Sequence, residues 1–306
     1  MPEVLPIIAR SAVSLDESSL IANLTFQFWQ WQGHQIRYHV SGQGQPLLLV
    51  HGFGASIGHW RKNIPVLTAA GYRVYALDLL GFGGSEKPLL DYQVELWQDL
   101  LHDFWQAHIQ EPVVWVGNSI GGLISLGMAA TYPGLTRGLV LLNCAGSLNH
   151  RPEDLNLPLR WMMKGFNALV NSAQVGPLVF NLVRQRRQIR RSLAQVYCDT
   201  TAVTDELVEL IYQPACDANA QKVFATILTA PPGPRPSELL PQVQAPLLVV
   251  WGEADPWTPI SAGQLFQDWQ DRLPIQFVTI PNTGHCPHDE RPEQVNSLIT
   301  EWLATL

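Results

Sequence analysis

The pattern GxSxG occurs twice, as GASIG at 54–58 and as GNSIG at 117–121. A strained strand-to-helix turn of this form lifts a serine hydroxyl clear of a sheet as a nucleophile. The flanking residues separate the two copies. In "VVWVGNSIGGLISLGMAATY" an apolar run ends just before Ser119 and a helical pattern starts just after it. Gly117, Gly121 and Gly122 leave room for the close backbone approach. In "LLLVHGFGASIGHW" the HGFG run intervenes between the strand pattern and GASIG, so Ser56 is not at an apex. HGFG has another use: the backbone N–H of Phe53, paired with that of Ile120, would make a two-donor oxyanion hole. Loss of one such donor typically costs about 3–4 kcal/mol of transition-state stabilisation.

A serine hydroxyl needs a base to take its proton, and the base needs an acid to orient it. With this type of elbow the order along the chain is Ser, then Asp or Glu, then His. "VVWGEADPWTP" offers Asp255 at the end of one apolar run, and "VTIPNTGHCPHDERPE" offers His285 after the next. Parallel sheets gather catalytic groups at the carboxyl ends of their strands, so Ser119, Asp255 and His285 are expected on one rim. The neighbouring titratable residues have blander roles. His51 is expected to brace the HGFG loop through a buried hydrogen bond, and Asp78 to anchor loops. His288 reads as a loop or helix-start residue. Glu253 is the alternative acid, and Asp289 and Glu290 would favour the start of the final helix through its dipole.

The elements that must hold these residues follow from the hydropathy pattern. "LTFQFWQWQG" and "HQIRYHVSG" read as an antiparallel hairpin around Gly33. Short apolar runs at 46–50, 72–78, 112–117 and 138–143 then alternate with helical patterns, the signature of a parallel sheet covered on both faces. The alternation lapses near residue 147 and resumes near 241, after the rigid "APPGPRP". The expected organisation is an N-terminal extension (1–23), an α/β core (24–147 and 241–306) of eight mostly parallel strands, and an inserted helical cap (148–240).

Hydrophobic residues make up 46% and charged residues 15% of the 306, which supports a large buried core. A formal charge of −7 disfavours nucleic acid as a partner. The four cysteines, far apart and without a CxxC pair, read as reduced thiols, and neither a metal nor a cofactor is called for. The N-terminus lacks the pattern of a secretory signal, and no run reaches the ~18 apolar residues of a membrane span. A cytoplasmic protein is expected, with peripheral contact at a membrane left open. In the cap, "LPLRWMMKGFNALV" spaces Trp161, Met162, Phe166, Leu169 and Val170 helically. That face either packs on the core or forms a greasy lid over substrate, in which case Trp161, Met162 and Phe166 bind it. Arg184, Arg186, Arg187, Arg190 and Arg191 make either a solvated helix face or a contact for anionic lipid headgroups.

HGFG, "DLLGFGGS", GNSIGG, "WGEADPW" and the Gly-His loop together resemble the α/β-hydrolase fold over about residues 24–306. Within that fold, GNSIGG, "LLNCAG", "DPWTP" and "GHCPHDERPE" look like the pheophytinase and chlorophyll dephytylase group of photosynthetic organisms. The resemblance implies hydrolysis of the phytyl ester of chlorophyll or pheophytin and a triad carried by Ser119, Asp255 and His285, and it leaves open a peripheral location at a photosynthetic membrane. At the end of the run 138–143 stands Asn143, not an acid, which leaves Asp255 without a rival there. Two enzyme alternatives remain: a general carboxylesterase, and a carbon–carbon bond hydrolase of ring-cleavage products, which also uses GNSxGG-type elbows. A rival of another class is a ligand receptor that keeps the triad and signals by cap movement.

Overall fold

A computed structural model describes residues 24–306; the extension 1–23, and the reading of its sequence as no secretory signal, lie outside the described residues. Eight strands form one sheet in the order β1-β2-β4-β3-β5-β6-β7-β8. They are β1 (Phe26–Trp31), β2 (His34–Ser41), β3 (Pro46–Val50), β4 (Arg73–Leu77), β5 (Val113–Asn118), β6 (Thr136–Leu142), β7 (Leu247–Gly252) and β8 (Ile275–Ile280). β1 pairs antiparallel with β2, and β2 antiparallel with β4. Every pairing from β4 through β3 to β8 is parallel. The runs "PLLLV" and "LLVVWG" are buried along their whole length because helices cover both faces.

The helices are α1 (Ile64–Ala69), α2 (Val94–His108), α3 (Ile120–Thr131), α4 (Leu157–Asn171), α5 (Gly176–Val183), α6 (Arg186–Val196), α7 (Asp205–Tyr212), α8 (Ala220–Leu228), α9 (Pro236–Leu239), α10 (Ile260–Asp268), α11 (Pro287–Glu290) and α12 (Pro292–Leu303). Two apolar clusters sandwich the sheet. One is built on Trp97, Phe104, Trp115 and Trp251, the other on Trp60, Leu67, Val250 and Trp302. Helices α4 to α9 all lie between β6 and β7. Within them, Ile189, Leu193, Val196, Tyr197, Leu207 and Val208 form a small core between α6 and α7. Val223 and Ile227 of α8 instead join the main core. α4 buries only Val170.

Candidate active site

Ser119 stands between the end of β5 and the start of α3 with φ +56° and ψ −123°. Non-glycine residues rarely hold a positive φ, and the backbone here is fixed from both sides. The Ser119 amide donates to the Leu142 carbonyl at 3.1 Å, and its own carbonyl accepts from Gly122, Leu123 and Ala145. A Cβ on Gly121 would lie 2.2 Å from the Val50 carbonyl oxygen, so only glycine fits against β3 at this turn. Ser56 has an extended backbone, and its hydroxyl caps a 3-10 turn over Ile57–Trp60 by accepting from the Gly58 amide. The structure thus builds a strand-to-helix elbow at GNSIG alone of the two copies.

His285 follows β8 and Asp255 follows β7. The His285 Nδ1 lies 2.6 Å from Asp255 Oδ2, with both side chains almost wholly buried. Burial by itself disfavours the Asp255 carboxylate. Hydrogen bonds from His285, the Thr258 hydroxyl and the Trp257 amide outweigh it and hold the pKa below the usual aspartate value. Asn143 adds a further donor to Asp255 Oδ2 at 2.8 Å, while its Oδ1 accepts from the Gly252 amide at 2.8 Å. Glu253, the alternative acid, is exposed.

The serine and the imidazole share a wall. The Asn118 side-chain amide donates both to the Leu142 carbonyl (3.0 Å) and to the His285 carbonyl (2.9 Å). Ser119 and His285 line one cavity of about 320 Å³, together with Gly52 and Phe53 of the HGFG loop. A Cβ on Gly52 would lie 3.2 Å from the Ser119 Cβ, which measures how closely that loop approaches. Neither the Phe53 nor the Ile120 amide donates to an acceptor among the described residues. His51 fixes the loop from beneath: its Nε2 accepts from the Leu79 amide and its Nδ1 donates to the Gly52 carbonyl at 2.8 Å. Asp78 ties three segments together by accepting from the amides of Ile57 and Gly84 and from Arg37.

Most of the remaining wall is apolar. Phe180, Leu193, Val196, Val223, Phe224 and Ile227 contribute to it, with Trp257 edge-on to the His285 ring. Arg184 also reaches the cavity, and its guanidinium donates to the Ala215 carbonyl. Trp161, Met162 and Phe166 do not reach it. They project outward from α4 and are 48–70% exposed, so the structure gives these three no contact with a substrate held beside Ser119. Of the arginine cluster, Arg186 and Arg190 pair with Glu209 and Asp205 of α7, which leaves Arg187 and Arg191 on the outer surface.

The expected helix-dipole role of Asp289 and Glu290 is corrected. Both are buried in α11, and α12 starts only at Pro292. Asp289 pairs with Arg61 at 2.8 Å and accepts from the Tyr197 hydroxyl at 2.8 Å. Glu290 accepts from the amides of Gly284 (2.8 Å) and Asp199 (2.7 Å). His288 stands at the start of α11, as expected, and lies fully buried against Trp60 with ring centroids 4.2 Å apart. These contacts fasten the end of α6 to the loop bearing His285, whose own amide donates to the Val196 carbonyl at 2.8 Å. Sequence reading missed Asn118, and it gave Asn143 and Glu290 roles other than the hydrogen bonds they make. The first two do carry a signal, because each is a polar residue ending an apolar run beside the elbow.

Among the described residues, no group of three or more His, Cys, Asp or Glu side chains is arranged to hold a metal ion. No helix among them is long and apolar enough to cross a membrane.

Residues 47–298 match the family described as "Alpha/beta hydrolase family". The chain is similar to the chloroplastic pheophytinase of Arabidopsis thaliana, with 28% identity covering 95% of this chain and 69% of that protein. It is also similar to the 2-hydroxy-6-oxo-6-(2'-aminophenyl)hexa-2,4-dienoic acid hydrolase of Metapseudomonas resinovorans, with 31% identity covering 89% and 88% of the two chains. The solved structure of a serine hydrolase involved in carbazole degradation superposes with a TM-score of 0.73 at 27% identity, covering 92% of this chain and all of that one. With its sheet order, its elbow and a family match spanning most of the sequence, the chain belongs to the α/β-hydrolase family and is a hydrolase.

Proposed function

We propose that the chain is a serine hydrolase of carboxylic esters with a long apolar alcohol, and that its substrate is the phytyl ester of a chlorophyll-type pigment. The observation that carries the ester reading is the His285 ring, paired with the buried Asp255 carboxylate and lining the same apolar cavity as a serine held at positive φ. In this reading His285 Nε2 takes the proton as Ser119 Oγ attacks the ester carbonyl. Asp255 holds the Nδ1–H and stabilises the imidazolium. The Phe53 and Ile120 amides receive the oxyanion. The alcohol leaves with the proton from His285, and a water, activated by the same imidazole, releases the acid.

The phytyl assignment is supported by the similarity to pheophytinase and by the cavity's apolar lining. At about 320 Å³ the cavity is near the lower end of ligand-pocket sizes. It suits an arm of a pigment, with the macrocycle remaining outside. A second reading, a carbon–carbon bond hydrolase, is favoured by the similarity to the dienoic acid hydrolase and by Arg184, a cation on the wall that would pair with a substrate carboxylate.

The test is to incubate the protein and Ser119→Ala with pheophytin a, chlorophyll a, p-nitrophenyl esters of graded length, and a 2-hydroxy-6-oxo dienoic acid. Release of phytol by the parent alone is the expected result. Cleavage of short esters only would reduce the reading to a general carboxylesterase. Turnover of the dienoic acid alone would favour the second reading, and no turnover of any substrate would end the enzymatic assignment to Ser119.

A further inference from the structure

The outward side of α4 is apolar, the reverse of an ordinary surface helix. Leu157, Trp161, Met162 and Phe166 are exposed there, and among the outward residues of this helix only Lys164 and Asn171 are polar. α5, packed beside it, adds Leu178 and Leu182, 68% and 59% exposed. A face of this kind, with a tryptophan and a cation among aliphatic side chains, suits the boundary between lipid headgroups and acyl chains.

Charge selects the kind of surface. Residues 155–198 carry seven Lys and Arg and no Asp or Glu, although the whole chain has 26 acidic against 19 basic residues. Lys164 sits within the apolar face, its ammonium 5.4 Å from the Trp161 ring centroid. Arg187 and Arg191 remain exposed on α6. Position adds a second argument. α5 turns Phe180 and Val183 to the cavity that Ser119 lines, and Leu178 and Leu182 to the outside. One helix therefore joins the outer face to the cavity wall.

We infer that the α4–α5 face docks on an anionic lipid bilayer, seating Trp161, Phe166 and the α5 leucines below the headgroups. This goes beyond the proposed reaction and is read by binding alone, so it stands or falls independently of whether Ser119 cleaves an ester.

The test is co-sedimentation of the full chain with vesicles of phosphatidylcholine and phosphatidylglycerol at two to one, and with phosphatidylcholine alone. The parent should partition more strongly to the mixed vesicles, with the preference shrinking as salt rises. Leu178→Ser with Leu182→Ser should weaken partitioning at least about tenfold. Lys164→Ala should weaken it about fivefold on mixed vesicles only. Thermal melting checks that the variants fold, and Trp161→Gln provides an independent apolar loss should the double variant not fold. Equal partitioning of parent and apolar variants would overturn the inference, as would no partitioning of the parent. Self-association of the parent that these substitutions abolish, without vesicle binding, would assign the face to a second copy and also overturn it.

Discussion

The side-chain amide of Asn118 reaches the backbone carbonyl of His285 at 2.9 Å, so the residue before the elbow serine holds the loop of the imidazole. The same amide donates to the Leu142 carbonyl, and both carbonyls are buried with it. Asn118→Ala would leave the buried His285 carbonyl without this donor, at a cost of about 1–3 kcal/mol where no water replaces it, while the Leu142 carbonyl keeps the Ser119 amide. The expected outcome is a lower denaturation midpoint and a kcat reduced by about tenfold or more, with KM less affected. An unchanged kcat in a folded variant would show that the contact does not position His285.

Asn143 places a neutral donor where a carboxylate would meet Asp255 at hydrogen-bonding distance. Asn143→Asp would set like charges side by side, so one of the two carboxyls must gain a proton more readily. The acid limb of kcat/KM should move to higher pH by about one unit or more. A full pH–rate profile checks this, and a profile superimposable on the parent's would refute it.

Gly284 passes so close to α6 that a Cβ would lie 2.0 Å from the Val196 carbonyl oxygen. Both sides of that contact are backbone, so Gly284→Ala must displace the His285 loop, α6, or both. A loss of about 1–3 kcal/mol in chemical denaturation is expected, together with reduced kcat. Retention of both properties would mean that the loop and α6 separate without consequence.

Two buried histidines link stability to pH. Desolvation depresses His59 to about 4 and His288 to about 3, against the partial pull of Asp289. Each folded-state pKa lies below the unfolded value of about 6.5, so the unfolded chain binds the proton first. The stabilisation is complete above about pH 6.5 and is lost as pH falls toward 4 and below. By pH 5 each histidine should cost about 2 kcal/mol relative to pH 8. Denaturation at pH 8, 6 and 5 would show the slope, and His288→Asn should flatten it. A stability independent of pH over this interval would contradict the neutral burial of both rings.

Much of the sheet was legible because burial on both faces writes itself as uninterrupted apolar runs. "PLLLV" coincides with β3 from Pro46 to Val50, and the runs at 72–78 and 275–281 each overlap an observed strand closely. The elbow was legible too, since Gly117 and Gly121 answer to close backbone contacts that leave no room for a side chain. The outward turn of Trp161, Met162 and Phe166 was not. Helical spacing reveals that α4 has an apolar face, but the spacing is the same whether that face meets a core, a cavity or the outside. The setting of Asp289 and Glu290 was hidden for a related reason. A local dipole argument sees only neighbours in sequence, whereas Arg61, Tyr197 and Asp199 reach these carboxylates through tertiary packing.

The fastening of α6 to the His285 loop restricts how the helices above the cavity can part from the sheet. Glu290 bridges Gly284 and Asp199, and the Val196 carbonyl takes the His285 amide. Lifting this edge would unseat the imidazole at the moment a guest arrives. An opening that spares the His285–Asp255 pair therefore leaves α6 berthed against this loop.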